Sequence, residues 1–375
     1  MSEPVLAQPP KTKRILELDA LRALAAINLL LFHFTLVFPN KYGFNTPLGF
    51  DFPYGKYGVQ LFFMLSGFVN AMTLLRKQQP GEFIVARFIR ILPSYWMVIG
   101  LNVVLFSCFS MYSTTVTADA TVANLTVMPM LFGYDAWEPV TWTLQVEMLF
   151  YFILMTLFVG GALNNTFRTT MILLGISALA VPMVHGWQAT APEAWTTRAA
   201  SFLSDLFILK YIPLFVTGML LHEIWAKRSN VYKNLFGILI AAVVFHTIDL
   251  RDHNPAVTVI LLATLALSAY GKLPVLRSKP LMFISAISYS LYLFHNNLGC
   301  LLIRWIHDAG VSPLMSIVIV TILAFILAAL LTYWVEQPIS RKLKGLWKQF
   351  KANRGGKPFA DLKTIFDFRT RKGTA

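Results

Sequence analysis

The chain has 375 residues, of which 56% are hydrophobic and 13% charged. Soluble domains run near ~45–50% apolar and ~25% charged, so an ordinary soluble domain and a disordered chain are both excluded. The basic excess, 32 Lys and Arg against 18 Asp and Glu, falls in short segments between apolar runs. That pattern points to membrane-facing loops and not to nucleic acid.

Residues 1–14 are polar, and the apolar run that follows is long enough for a full span, unlike the short core of a cleavable signal. Spans are expected at 19–38, 57–76, 91–110, 142–161, 169–186, 204–224, 233–250, 254–270, 281–303 and 313–335. The fold class expected is therefore an all-α polytopic membrane protein of about ten helices. Residues 1–340 read as one integral-membrane domain and 341–375 as a basic cytoplasmic tail. The stretch RKLKGLWKQFKANRGGK reads as an amphipathic helix and arm resting on anionic lipid headgroups. With the amino terminus inside, 26 of the 32 Lys and Arg fall on the cytoplasmic side. The six left outside are Lys41, Lys56, Arg198, Lys210, Arg251 and Arg304. This imbalance predicts that both termini are cytoplasmic.

Ionisable residues inside spans are costly, which makes each a functional candidate. Arg22 and His33 in the first span are eleven residues apart, three helical turns and about 16 Å along one face. Ser66-Gly67 in the second span reads equally as a close-packing pair or as a hydroxyl lining a pocket. Arg87 and Arg90 share a helix face before the third span, and two guanidinium forks there suit a phosphate-rich ligand. Glu147, about 8 Å below the outer end of the fourth span, needs a partner or a wet cavity. His33 at comparable depth is a plausible one. The ninth span carries His295 and an unusually polar face of Ser288, Tyr289, Ser290 and Tyr292. Glu336 closes the tenth span at the level of Arg22, where an ion pair between them is one reading.

Two tiers follow. Arg22, Arg87, Arg90 and Glu336 form an inner tier; His33, Glu147 and His295, with Ser66 slightly deeper, form an outer one. They suit a transferase with a cytoplasmic donor and an external acceptor. They suit equally a proton-coupled transporter or flippase with a His/Glu relay and an arginine anchor. Cys108 and Cys300 read as buried thiols. No metal-ligand spacing, phosphate-loop pattern or Gly-x-Ser-x-Gly elbow occurs, and no metal is expected.

ELDALRALAAINLLLFHF with its Arg-x10-His, GVQLFFMLSGF, RFIRILPSYW with Arg-x-x-Arg, TWTLQVEMLFYF, SYSLYLFH and VEQPISR together resemble the integral-membrane acyltransferase-3 family. These motifs span residues 17–341 in the family's order. The resemblance implies about ten core helices and transfer of an acyl group, usually acetyl from acetyl-CoA, onto sugar hydroxyls of surface polysaccharides or lipid-linked glycans in the inner membrane. The chain resembles the stand-alone form, without a fused extracytoplasmic domain. By the same resemblance His33 is the essential histidine with Arg22 its partner. Arg87 and Arg90 handle acyl-CoA, and Glu336 is the acidic residue of the terminal motif. Glu147 ends a Trp-x-Leu-x-x-Glu run one residue shorter than the family's pattern. The expected mechanism is direct transfer with His33 as general base, and an acyl-enzyme on Ser66, a tyrosine or His33 stays open.

Overall fold

The structure, a computed structural model, describes residues 14–77, 79–109, 114–249 and 254–353. Lys11, Lys13, Arg251 and the last part of the basic tail lie outside them. In chain order the helices are α1 (Leu16–Phe32), α2 (Phe38–Tyr42), α3 (Gly58–Lys77), α4 (Pro80–Cys108), α5 (Ala118–Leu125), α6 (Trp142–Val159), α7 (Thr166–Thr190) and α8 (Trp195–Leu206). There follow α9 (Ile212–Trp225), α10 (Val231–Ile248), α11 (Pro255–Ala269), α12 (Lys279–Phe294), α13 (Asn297–Asp308), α14 (Pro313–Leu331) and α15 (Gln337–Asn353).

The bundle is built around α9, buried at every residue from Ile212 to Ile224 and packed by α3, α7 and α10. Its contact with α3 is close because both helices offer glycine. A Cβ on Gly67 would lie 2.1 Å from the Phe215 carbonyl oxygen, and one on Gly218 1.9 Å from that of Met64. Gly67 therefore accounts for the packing half of the Ser66-Gly67 pair, and Ser66 is left to face a cavity. On the other side α12 packs between α1 and α14. Ala20, Ala23, Ala25 and Ala26 on α1 are buried, and such small residues allow close helix approach. The outward faces of α7, α10, α11 and α14 expose Leu179, Phe236, Val259 and Ile322, an apolar surface that needs lipid to cover it.

Among the described residues seven helical segments are long and apolar enough to cross a membrane. Three shorter apolar helices, α9, α11 and α12, join them in the bundle. Four expected spans differ in detail. The third begins at Pro80 and not at 91, so Arg87 and Arg90 lie within α4. The segment 204–224 is not one helix, because amphipathic α8 ends at Leu206 and α9 begins at Ile212 after a turn. The segment 281–303 breaks at His295–Asn296. There the Asn297 amide turns aside to donate to Asn102 Oδ1 (2.5 Å) and to the Trp137 carbonyl (2.8 Å). The last segment does not stop at 335 but continues as helix from Pro313 to Asn353. In α15 Leu343, Leu346 and Phe350 are exposed at helical spacing, and an ion pair of Lys351 with Glu82 ties the helix to the start of α4.

Among the described residues two α-helices carry a five-residue π-helical turn, His33–Val37 after α1 and Thr332–Glu336 after α14. Such turns insert a residue into the helical register and recur at functional sites. Each one here contains a residue singled out from the sequence.

Candidate active site

Among the described residues, the candidate side chains line two cavities toward opposite ends of the bundle. The first opens where α1 and α4 begin and α3 ends. It is lined by Arg22, Arg87 and Arg90, with Ser66, Asn70, Glu147 and Tyr151 deeper. Arg22 is held by Asp19 one turn earlier (Nη1 to Oδ1, 3.2 Å), and Asp19 also receives Arg14. The Arg87 guanidinium lies over the rings of Phe83 and Tyr151, 5.2 and 5.4 Å from their centroids, a cation–π seat that fixes its direction. Three guanidinium groups against one carboxylate make this lining strongly cationic. At its depth runs a hydrogen-bonded chain. Asn70 Nδ2 donates to Ser66 Oγ (2.7 Å), and Ser66 Oγ donates to Glu147 Oε1 (2.8 Å).

The second cavity, about 1230 Å³ including its mouth, is built at the other ends of α1 and α3, with the start of α6 and residues of α9 and α10. It is lined by His33, Lys56, Gln60, Trp142, Tyr211 and Asp249 among others. Tyr292 lines both cavities. Its hydroxyl donates to the Val140 carbonyl (2.6 Å) and bonds Thr143 Oγ1 (2.5 Å), and its ring meets Phe62 edge-on. These side chains form the partition between the two spaces.

At the second cavity the two histidines meet, His295 Nε2 to His33 Nδ1 at 3.0 Å. Their backbone partners fix the tautomers. His295 Nδ1 faces the carbonyls of Tyr292 (2.8 Å) and Leu291 (3.2 Å), so it must carry a hydrogen, and its Nε2 then accepts. His33 Nδ1 faces the Leu29 carbonyl (2.7 Å) and that Nε2, so it too is the protonated nitrogen. The lone pair of neutral His33 is thereby left on Nε2, the orientation a general base requires.

The structure brings Arg22, Arg87, Arg90, Ser66 and Glu147 together, and separately His33 and His295. It corrects two expected pairings. Glu147 does not meet His33 but belongs with the arginines. Its helix starts below the surface, with Val140 and Thr141 only 3% and 2% exposed, so counting depth from the helix start places the carboxylate too far out. Arg22 does not meet Glu336: it pairs with Asp19, whereas Glu336 Oε2 accepts from Ser290 Oγ (2.9 Å), which in turn accepts from Thr332 Oγ1 (3.0 Å). Asn70 and Asp19 were not singled out in advance, and Tyr292 was read only as part of the polar face of the ninth span. An amide inside an apolar run was the available signal for Asn70.

A helical bundle with apolar outward faces, a cationic cavity toward one end and a histidine-lined cavity toward the other has the form of a polytopic membrane protein. The family described as acyltransferase domain matches residues 15–333, and the chain belongs to that family. It is 27% identical over 266 residues to the exopolysaccharide production protein ExoZ of Rhizobium meliloti (strain 1021), covering 66% of this chain and 77% of that protein. It is 26% identical over 278 residues to nodulation protein 10 of Rhizobium leguminosarum bv. viciae, covering 66% and 72%. No solved structure matches the chain. It is thus a multi-pass membrane acyltransferase.

Proposed function

We propose that this acyltransferase moves an acyl group, in the simplest case acetyl from cytoplasmic acetyl-CoA, onto a hydroxyl of a carbohydrate acceptor such as a surface polysaccharide or lipid-linked glycan at the inner membrane. The observation that carries this reading is the pair of opposed cavities sharing one partition. The arginine face lies on the side that the Lys/Arg imbalance assigns to the cytoplasm. Three guanidinium groups suit the phosphates of CoA, whose long arm can carry a thioester inward past Tyr292. An acceptor hydroxyl entering from the other face meets His33. Its oxygen attacks the thioester carbonyl carbon while His33 Nε2 takes the hydroxyl proton. The C–S bond breaks and the imidazolium returns that proton to the departing sulfur. The name of one relative, the exopolysaccharide production protein ExoZ, supports a glycan acceptor.

The Ser66–Glu147 hydrogen bond favours a second route at the same donor site. The Ser66 oxygen attacks the thioester first, its proton passing to Glu147 and on to the CoA sulfur, and the resulting ester then acylates the acceptor.

The test is release of free thiol from acetyl-CoA by the purified protein, with and without envelope glycan, together with mass measurement of the protein for a retained acetyl group. Arg87→Lys with Arg90→Lys keeps the charge but loses the forks. It should raise the half-saturating acetyl-CoA concentration by about tenfold, the size of a lost charge-assisted bond. No CoA binding by the wild type would favour the transporter.

A further inference from the structure

The histidine-side cavity has more in its walls than a proton acceptor needs. Each lining segment contributes the end that faces away from the arginines. These are His33 just after α1, Lys56 just before α3, Gln60 in its first turn, Trp142 from α6, Tyr211 before α9 and Asp249 just after α10. The aromatic members are packed as a platform: Trp142 and Tyr211 have ring centroids 5.4 Å apart at 37°, and Tyr211 leans on Phe63 at 5.3 Å. The polar members are braced from outside the cavity. Gln60 Oε1 accepts from Thr258 Oγ1 (3.3 Å), and Asp249 is joined to Lys210 (3.2 Å). The turn that carries Lys210 and Tyr211 holds Ile208 at a φ of 49°, a region that a β-branched residue rarely adopts. An apolar face beside convergent polar groups is the usual form of a specific small-ligand site.

A pyranose ring has this same division, with C–H bonds presented on a face and hydroxyls around the rim. An aromatic platform covers the first, while an amide, an ammonium and a carboxylate serve the second as donors and acceptors. Resting on the functional reading above, we infer that this cavity is the acceptor subsite. It holds one sugar residue with its face on Trp142 and Tyr211, its hydroxyls on Gln60, Lys56 and Asp249, and the accepting hydroxyl turned toward His33. Trp142 and Gln60 are specificity residues under this assignment and take no part in the proton transfer.

The experiment uses the full-length protein in detergent or nanodiscs, acetyl-CoA, and envelope polysaccharide extracted from a strain that lacks this chain. Trp142→Leu keeps an apolar side chain without the aromatic face, and Gln60→Leu removes the amide. Each should raise the half-saturating polysaccharide concentration by about tenfold, the worth of an aromatic or hydrogen-bond contact. Half-saturation for acetyl-CoA should stay unchanged, and Trp142→Phe should recover most of the loss. A Gln60→Cys variant in a Cys108→Ser background gives a readout independent of turnover, because the polysaccharide should slow its alkylation by a maleimide. Normal acceptor dependence in the Leu variants, or no protection of the cysteine while the polysaccharide is being acetylated, overturns the subsite and leaves the function standing. Acetyl-CoA consumption with no acetyl reaching any carbohydrate overturns the acceptor class itself.

Discussion

At the scale of single residues, the two histidines divide one task. His33 presents its free Nε2 and His295 fixes the tautomer from behind, itself oriented by two carbonyls. His33→Ala should lower the transfer rate by ~10²–10⁴-fold, the usual worth of a positioned general base, and exogenous imidazole should recover part of it. His295→Ala should reduce turnover by about 10–100-fold, as for a lost supporting partner, with both half-saturation constants held. Rates above about a tenth of wild type in purified His33→Ala would remove the base assignment. His33, Arg22, Arg87 and Arg90 were legible in the sequence because charge and imidazole are conspicuous in apolar runs and helical spacing ranks them by depth. Their carboxylate partners were not legible. Which carboxylate meets which base depends on where each helix begins relative to the bundle surface, and α6 begins below it.

At the scale of elements, the sequence makes each apolar run visible but not the interruptions within it. The break after α12 is held by long-range contacts, such as Asn297 reaching Asn102 across 195 residues, to which a sliding hydropathy pattern is blind. The junction of α4, α6 and α13 also holds a carboxyl group. Glu138 lies in the loop ahead of α6, 1% exposed and with Oε1 unpartnered. Burial pushes its carboxyl up to about 8, against the pull of the Asn296 and Asn102 side chains toward ionisation. The folded protein then keeps a proton that the unfolded chain sheds near the ordinary carboxyl value. Stability should accordingly fall as pH rises from about 4.5 to about 8. Glu138→Gln should flatten that slope in thermal unfolding of the detergent-solubilised protein; an unchanged slope would show that the carboxyl does not titrate in this window.

At the scale of the whole molecule, the direction of acyl flow rests on orientation. In a Cys108→Ser background, Lys41→Cys should react with an impermeant maleimide from outside intact cells, and Arg228→Cys only after the membrane is opened. The reverse labelling would exchange the donor and acceptor faces. The thinness of the Tyr292 partition then has an electrical consequence. Where water enters a membrane protein from both sides, the transmembrane voltage falls mainly across the dry layer that remains, here little more than a phenol ring and its neighbours. A proton that leaves an external hydroxyl and ends on a cytoplasmic thiol crosses nearly all of that field. A full elementary charge there is worth about 2.3 kcal/mol per 100 mV. In proteoliposomes with an imposed potassium diffusion potential, an interior-negative voltage should therefore accelerate transfer wherever proton movement limits the rate. Voltage-independent turnover would mean that the proton departs on the side from which it came.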